Sequence, residues 1–486
     1  MSTRTAGWAG AVVTAAALWA GCAIGPDYAR PAISSPAEFR GQVTPIEATS
    51  LADLGWWEVF GDPALQGLIR EAIAANYDLR IATARVQQAR AQAGVAFAGY
   101  FPSIGYSGKV QRSKEFAAFL GISNNQINNE LGASNLFLGA LTATWEIDVW
   151  GAVRRANEAA IANLLGTEEG RRGVMLSLVS DVAEAYFELI ELDARLEIAR
   201  KTTDAYRGIY QIFKDRLEFG VVSELQTSRA EGSLAASEAN IPEILSQIAA
   251  KENQISTLLG RNPGPISRGT PLFAQSVPAT VPAGLPSALL ERRPDVRRLE
   301  EQYVAANAQI GIAKAEFFPK LSLTGLLGKA SPELSSITAG SSTIWSIAAG
   351  LTGPLFQGGR ILENYRATIA VSEQVKLQYE QGVVKAFQEV SSNLVALDQM
   401  AKAESDLARA VTALEKSVEL ALIRYLYGLS SYLEVLNAQE RLFPAQNAQA
   451  AARLNRLLAY VQLYKTLGGG WNIADGQPVA EARPSR

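Results

Sequence analysis

The chain has 486 residues, 45 of them basic and 48 acidic, for a net charge of −3. It contains no histidine and a single cysteine, Cys22, which excludes a Cys/His dyad, a zinc cluster and an internal disulfide, and denies catalysis its commonest general base. No basic block stands out, so nucleic acid is not an expected partner.

The first 21 residues read as a secretion signal. Arg4 supplies the charged start, and Ala6 to Ala20 is an almost unbroken apolar run, too short to span a bilayer. Ala20-Gly21-Cys22 then has the small residues and the thiol of a bacterial lipoprotein cleavage site. Trp19 departs from such sites, which usually carry Leu three places before the cysteine; here Leu18 is one place early. An ordinary signal peptide with an incidental cysteine is the blander alternative. No later stretch reaches the length of a membrane helix, so a membrane crossing by the mature chain requires a closed β-barrel.

The chain is duplicated. Segment 78–108 aligns without gaps on 295–325, pairing Asp78 with Asp295, Gly94 with Gly311 and Pro102 with Pro319. Further on, 216–230 parallels 424–438, pairing Gly220 with Gly428 and Leu225 with Leu433. Each repeat opens on a helical stretch, 63–100 and 295–317, that stops at Phe-Pro because proline disfavours helix in the residue before it. Pro102 and Pro319 thus mark the entry to a first strand, predicted over 103–110 and 320–327. A second strand is predicted over 137–149 and 343–352. Apolar and polar residues alternate in all four, with rings near the ends, as in membrane β-strands. Glu146 and Asp148 fall on the polar side of one strand, where lining a lumen is a plainer role for them than catalysis. A half-buried strand of a soluble sandwich is the alternative reading.

After each strand pair comes a stretch without proline, Gly151 to Ile241 and Leu355 to Phe443, rich in helix formers. Gly220 and Gly428 mark one turn in each, so a helix of about sixty residues and roughly 90 Å precedes the turn. The spacing of Val182, Tyr186, Leu189, Leu192 and Leu196 suits packing along a seam. The Pro-rich stretch 263–294 reads as an ordered but irregular crossover. The class is therefore mixed α and membrane β.

Several motifs, taken in order, resemble the outer membrane factor lipoproteins of tripartite efflux systems. They are Gly25-Pro26-Asp27-Tyr28 with Pro31, VPAGLPSALLERRPDVRRLE at 281–300, ANAQIGIAKAEFFPKLSLTG at 306–325, RYLYGLSSYLEVLNAQ at 424–439 and LGGGW at 467–471. The resemblance implies a homotrimer whose chains each give four strands to a shared twelve-stranded transmembrane β-barrel, continuous with a long periplasmic α-helical barrel of coiled-coil hairpins. It divides the chain into a signal peptide (1–21), a lipidated extended segment (22–62), two efflux repeats (63–262 and 295–471) around the crossover, and a flexible tail (472–486). It implies a passive conduit for small molecules, with no enzymatic activity and no cofactor beyond diacylglycerol and an N-palmitoyl group on Cys22. The implied partners are outer-membrane lipid, a periplasmic adaptor and an inner-membrane pump of the RND or MFS type. It also implies a periplasmic gate at Leu429, Leu433, Glu434 and Asn437, where Asn437 replaces an acid common in the family. The outer channel of a type I protein-secretion system and a structural coiled-coil lipoprotein remain open at this point.

Overall fold

The computed structural model describes residues 23–42, 50–113, 134–277, 282–284 and 286–469. The signal segment 1–21, Cys22, Gly470, Trp471 and the tail 472–486 lie outside the described residues. The elements in order are α1 (Pro63–Ala75), α2 (Tyr77–Ala98), β1 (Ser103–Ser113), β2 (Ser134–Ile147), α3 (Ala152–Glu218), α4 (Glu224–Leu258), α5 (Pro286–Arg292), α6 (Pro294–Ala315), β3 (Lys320–Ser331), β4 (Thr343–Thr352), α7 (Arg360–Leu426) and α8 (Tyr432–Thr466).

The duplication is complete at the level of elements. α2 and α6 each have 22 residues, α3 and α7 each 67, α4 and α8 each 35. The first pair is displaced by 217 positions (77 to 294) and the others by 208 (152 to 360, 224 to 432). At 1.5 Å per residue α3 and α7 are each about 100 Å long.

The chain folds into two compact units. The first comprises residues 1–31, 87–166 and 300–378, and contains one antiparallel sheet in the order β1-β2-β3-β4. The second comprises 32–86, 167–299 and 379–486, and is helical. Its main core gathers Leu65, Ile69, Tyr186, Val383, Leu463 and Tyr464 among others, each no more than 1% exposed. The predicted seam residues Val182, Tyr186, Leu189, Leu192 and Leu196 are all buried there. A second cluster in the same unit packs Tyr206 and Phe213 of α3 against Ala421 of α7 and Tyr432, Val435 and Leu436 of α8. Among the described residues no helix is long and apolar enough to cross a membrane.

Four expectations need correction. The helical stretch 63–100 is broken at Asn76, whose Oδ1 accepts from Leu79 N at 3.0 Å while its Nδ2 donates to Leu258 O at 2.9 Å. Such a side chain caps a new helix instead of continuing the old one. The second strand ends at Ile147, not Val149, because both carboxylate oxygens of Asp148 accept from Val153 N and Arg154 N at 2.9 Å and start α3. Asp148 is therefore a helix-capping residue and does not belong to the polar face of the sheet. The first and third strands run three and four residues further, to Ser113 and Ser331. The crossover is partly helical, with a 3-10 turn at Leu272–Ala274 and α5.

Candidate functional site

Strand register decides which side chains share a face, since directly opposed residues point the same way. Tyr106, Leu141, Leu327 and Trp345 oppose one another across the four strands, and Ile104, Ala143, Gly325 and Ile347 form the next row. The sets predicted as apolar on each strand thus fall together on one face. They are unburied, with Tyr106 90%, Ile347 81% and Trp345 72% exposed. An apolar face this continuous needs a nonaqueous neighbour. The opposite face is mixed: Ser103, Thr144, Thr324 and Ala348 form one row, Gly105, Thr142, Leu326 and Ser346 the next, and Ser107, Ala140, Gly328 and Ile344 a third. Glu146 sits on this face and pairs with Lys320 at 3.1 Å. Pro102 and Pro319 stand immediately before β1 and β3.

An extended N-terminal strap is tied to the unit that holds the sheet. Ile24 N donates to Trp150 O at 3.1 Å, and Asn307 Nδ2 donates to Pro26 O at 2.9 Å. Arg155, buried, donates to Asp27 Oδ1 at 2.7 Å, while Tyr28 and Arg30 both donate to Glu300, at 3.0 and 2.8 Å. Trp150 stacks on Phe318 with ring centres 4.6 Å apart and donates to Pro319 O at 2.7 Å.

The helical unit is fastened at a buried carboxylate that sequence reasoning missed. Asp62, 2% exposed, caps α1 by accepting from Ala64 N at 2.8 Å. Its Oδ2 accepts from the Tyr186 hydroxyl at 2.8 Å and from Thr270 N and Gln275 Nε2, each at 2.9 Å. Burial opposes its charge, but the donors outweigh it and hold its pKa below the usual carboxylate value. Asp62-Pro63 is a visible capping signal, with proline at the first helical position. Its partners, more than 120 residues away, are not visible.

The two hairpin ends are built alike. Gly220 and Gly428 have φ of +66° and +71°, and the next residue of each, Val221 or Leu429, donates to Arg216 O or Arg424 O. That six-to-one bond ends a helix through a residue with positive φ, which glycine tolerates without strain. Beyond the second turn, Leu429 and Leu433 are 69% and 50% exposed, and Glu434 and Asn437 are exposed too. Val435 and Leu436, between them on α8, are buried against Phe213, and Tyr432 meets that ring at 4.4 Å. Burial pushes the Tyr432 hydroxyl up to about 12. Glu434 stands 4.0 Å from Arg424. Of the four residues expected at a gate, none is packed inside its own chain.

The comparisons agree with this geometry. The sequence profile of the outer membrane efflux protein family matches residues 68–261 and 285–469. The toluene efflux pump outer membrane protein TtgC of Pseudomonas putida is 33% identical over 470 residues, 95% of each chain. The cation efflux system protein CusC of Escherichia coli is 32% identical over 455 residues, 93% of this chain and 96% of CusC. The open-state MtrE outer membrane channel of Neisseria gonorrhoeae superimposes with a TM-score of 0.83 at 29% identity, covering 92% of this chain and 98% of MtrE. The chain belongs to the outer membrane efflux protein family: it is a subunit of an outer-membrane efflux channel, and its four strands are one third of a trimeric barrel.

Proposed function

We propose that the channel is a passive exit duct for small molecules, anchored by lipid on Cys22 and closed at the α7–α8 hairpin end. The observation that carries the conduit is the division of the sheet into one continuous apolar face and one mixed face that carries most of its polar side chains. Four strands cannot close, and the smallest membrane barrels use about eight. Twelve strands leave a lumen wide enough for solute, whereas eight are filled by their own side chains. Energy comes from an inner-membrane pump of the RND or MFS type, joined to the channel by a periplasmic adaptor. The substrate follows from the pump, since a lumen that mixes Ser, Thr and Gly with Leu326, Ile344 and the Glu146–Lys320 pair offers little to discriminate with.

Cys22 immediately precedes Ala23, whose Cα lies 2.8 Å from where a side chain on Gly151 would begin. A strap that runs beside Gly151, just after β2, supports an anchor close to the sheet. Mass spectrometry of the mature protein is expected to find Cys22 as the first residue, carrying a diacylglycerol and an amide-linked acyl chain. An unmodified Cys22, or an N-terminus elsewhere, contradicts the anchor.

Closure rests on Leu429 and Leu433, apolar side chains left exposed beside a buried cluster. Three copies meeting at the axis give an apolar plug. Asn437, one turn after Leu433 on the same helical face, adds three neutral amides. In planar-bilayer recordings Leu433→Gly is expected to raise the open fraction. Asn437→Asp is expected to make current sensitive to periplasmic divalent cations, because three carboxylates converge. Conductance and cation block unchanged in both variants would place the constriction elsewhere.

A further inference from the structure

The apolar face of the sheet changes along its length. β1 and β3 begin where α2 and α6 stop, and β2 and β4 run on towards α3 and α7. The β1–β2 and β3–β4 connections therefore lie at the end away from the helices. In an outer-membrane channel with a periplasmic helical extension, that end belongs to the outer leaflet. Among the described strand residues on the apolar face only two are charged, Arg112 and Lys329. Both are cations, and both lie towards the outer end. A cation on the lipid face of a barrel is costly at the bilayer midplane and nearly free at the level of the headgroups.

The rows place the two residues at that level. Lys329 shares a row with Gly108, Gly139 and Thr343. The next row inward holds Tyr106 and Trp345, exposed rings of the kind that gather at a membrane interface. Arg112 opposes Asn135, two rows further out than Gly108 and Gly139. The Cα atoms of Arg112 and Lys329 are thus two strands and four residues apart, about 17 Å at ordinary sheet spacings. Two long side chains can meet one headgroup lying between them.

Lys329 is held ready for such a contact. Its Nζ donates to Thr338 O at 2.8 Å and to Ala339 O at 3.3 Å, so the stem crosses apolar surface and the head reaches the turn outside it. An ammonium has three donors, and one remains. The turn is fixed by its own bonds, from Ser331 Oγ to Glu333 O at 2.8 Å and from Ser342 Oγ to Ser336 O at 2.7 Å. A side chain begun at Gly108 or Gly139 would meet nothing within 4 Å, so the row beside Lys329 is open. Arg112 is exposed, and among the described residues none takes its guanidinium. Glu333, the acid nearest to Lys329 in sequence, stands in the turn beyond the end of β3.

We propose that Arg112 and Lys329 bind the phosphate groups of lipid A, the phosphorylated, multiply acylated glycolipid of the outer leaflet, one molecule to each protomer. Charge and position both favour it. The site offers two cations and no acid on the sheet, with apolar surface directly inward for acyl chains. The guanidinium fork suits two oxygens of one phosphate, and the ammonium supplies a point charge to the second. A phospholipid with a single phosphate engages only one of the two.

Native mass spectrometry of the full-length trimer, titrated with lipid A in detergent, tests the site. Up to three lipid A molecules per trimer are expected. Arg112→Gln and Lys329→Gln are each expected to weaken binding about tenfold, the worth of one charge-assisted hydrogen bond. Arg112→Lys and Lys329→Arg are expected to keep most of it. Lipid A stripped of its phosphates, and phosphatidylglycerol, are expected to bind the parent at least about tenfold more weakly, by the same reasoning. Lys109 lies between the two rows in height but on the opposite face, so Lys109→Gln is expected to bind as the parent does. Lys329→Gln also removes two bonds to the turn; should its trimer yield fall, Arg112→Gln, which breaks no bond among the described residues, decides alone. Unchanged affinity in Arg112→Gln overturns the proposal, as does equal binding of dephosphorylated lipid A. Equal binding of phosphatidylglycerol overturns the assignment to lipid A, and an equal loss in Lys109→Gln overturns the assignment to this face.

Discussion

Arginine at Leu141 or at Ile347 is expected to cost about 2–4 kcal/mol each, the cost of a cation at mid-bilayer on the lipid face of a barrel. Both residues lie on the apolar face of the sheet, Leu141 in the row with Tyr106 and Trp345, and Ile347 in the next. Thr142→Arg, one residue along the same strand, points to the other face and is expected to assemble nearly as well as the parent protein. The assay is the yield of heat-resistant trimer in the outer membrane. Equal tolerance at Leu141 and Thr142 would mean that the two faces are not lipid and water.

Replacing Asp62 by Ala is expected to cost about 3–5 kcal/mol, because several buried donors lose their acceptor at once and each unsatisfied group costs about 1–3 kcal/mol. The donors belong to three separate segments: Tyr186 on α3, Thr270 and Gln275 in the crossover, and Ala64 at the start of α1. The pH dependence follows from the depressed pKa of Asp62 in the fold. A carboxylate of this kind contributes fully above its unfolded value, about 3.9, and loses its contribution as pH falls through the lower folded value. Thermal melting followed by far-ultraviolet circular dichroism is expected to show a large gap between parent and Asp62→Ala at neutral pH. The gap is expected to narrow only in strong acid. A gap that closes between pH 7 and 5 would assign the stabilisation to another group.

Periodicity made the sheet legible. The fourth strand, predicted over 343–352, has those bounds, and the alternation of apolar residues gave the lipid face on all four strands. What periodicity cannot show is where a strand yields to another element. Val149 continues the alternation of β2, yet its N–H donates to Ile147 O inside a turn, and Asp148 has already turned its oxygens to α3. In the same way Ala and Gln run through Asn76 without a pause, because a cap is a matter of one side chain's hydrogen bonds and not of composition. The positions proposed for the gate stand out in the sequence only through resemblance. Leu433 looks like any core leucine until its exposure is seen beside buried Val435 and Leu436. The strap and the Asp62 node depend on partners 120 to 280 residues away, as in Tyr28 with Glu300 and Asp62 with Tyr186. No local pattern marks such pairs, whereas the duplication, a long-range pattern, was readable because identical residues recur in order.

Three copies of this chain are expected to form a water-filled pore through the outer membrane. Planar-bilayer recording of the purified protein tests it most directly. The expected record is discrete, uniform conductance steps, one for each inserted trimer. Protein that inserts into the bilayer, as shown by protease protection, yet never produces a step would contradict it.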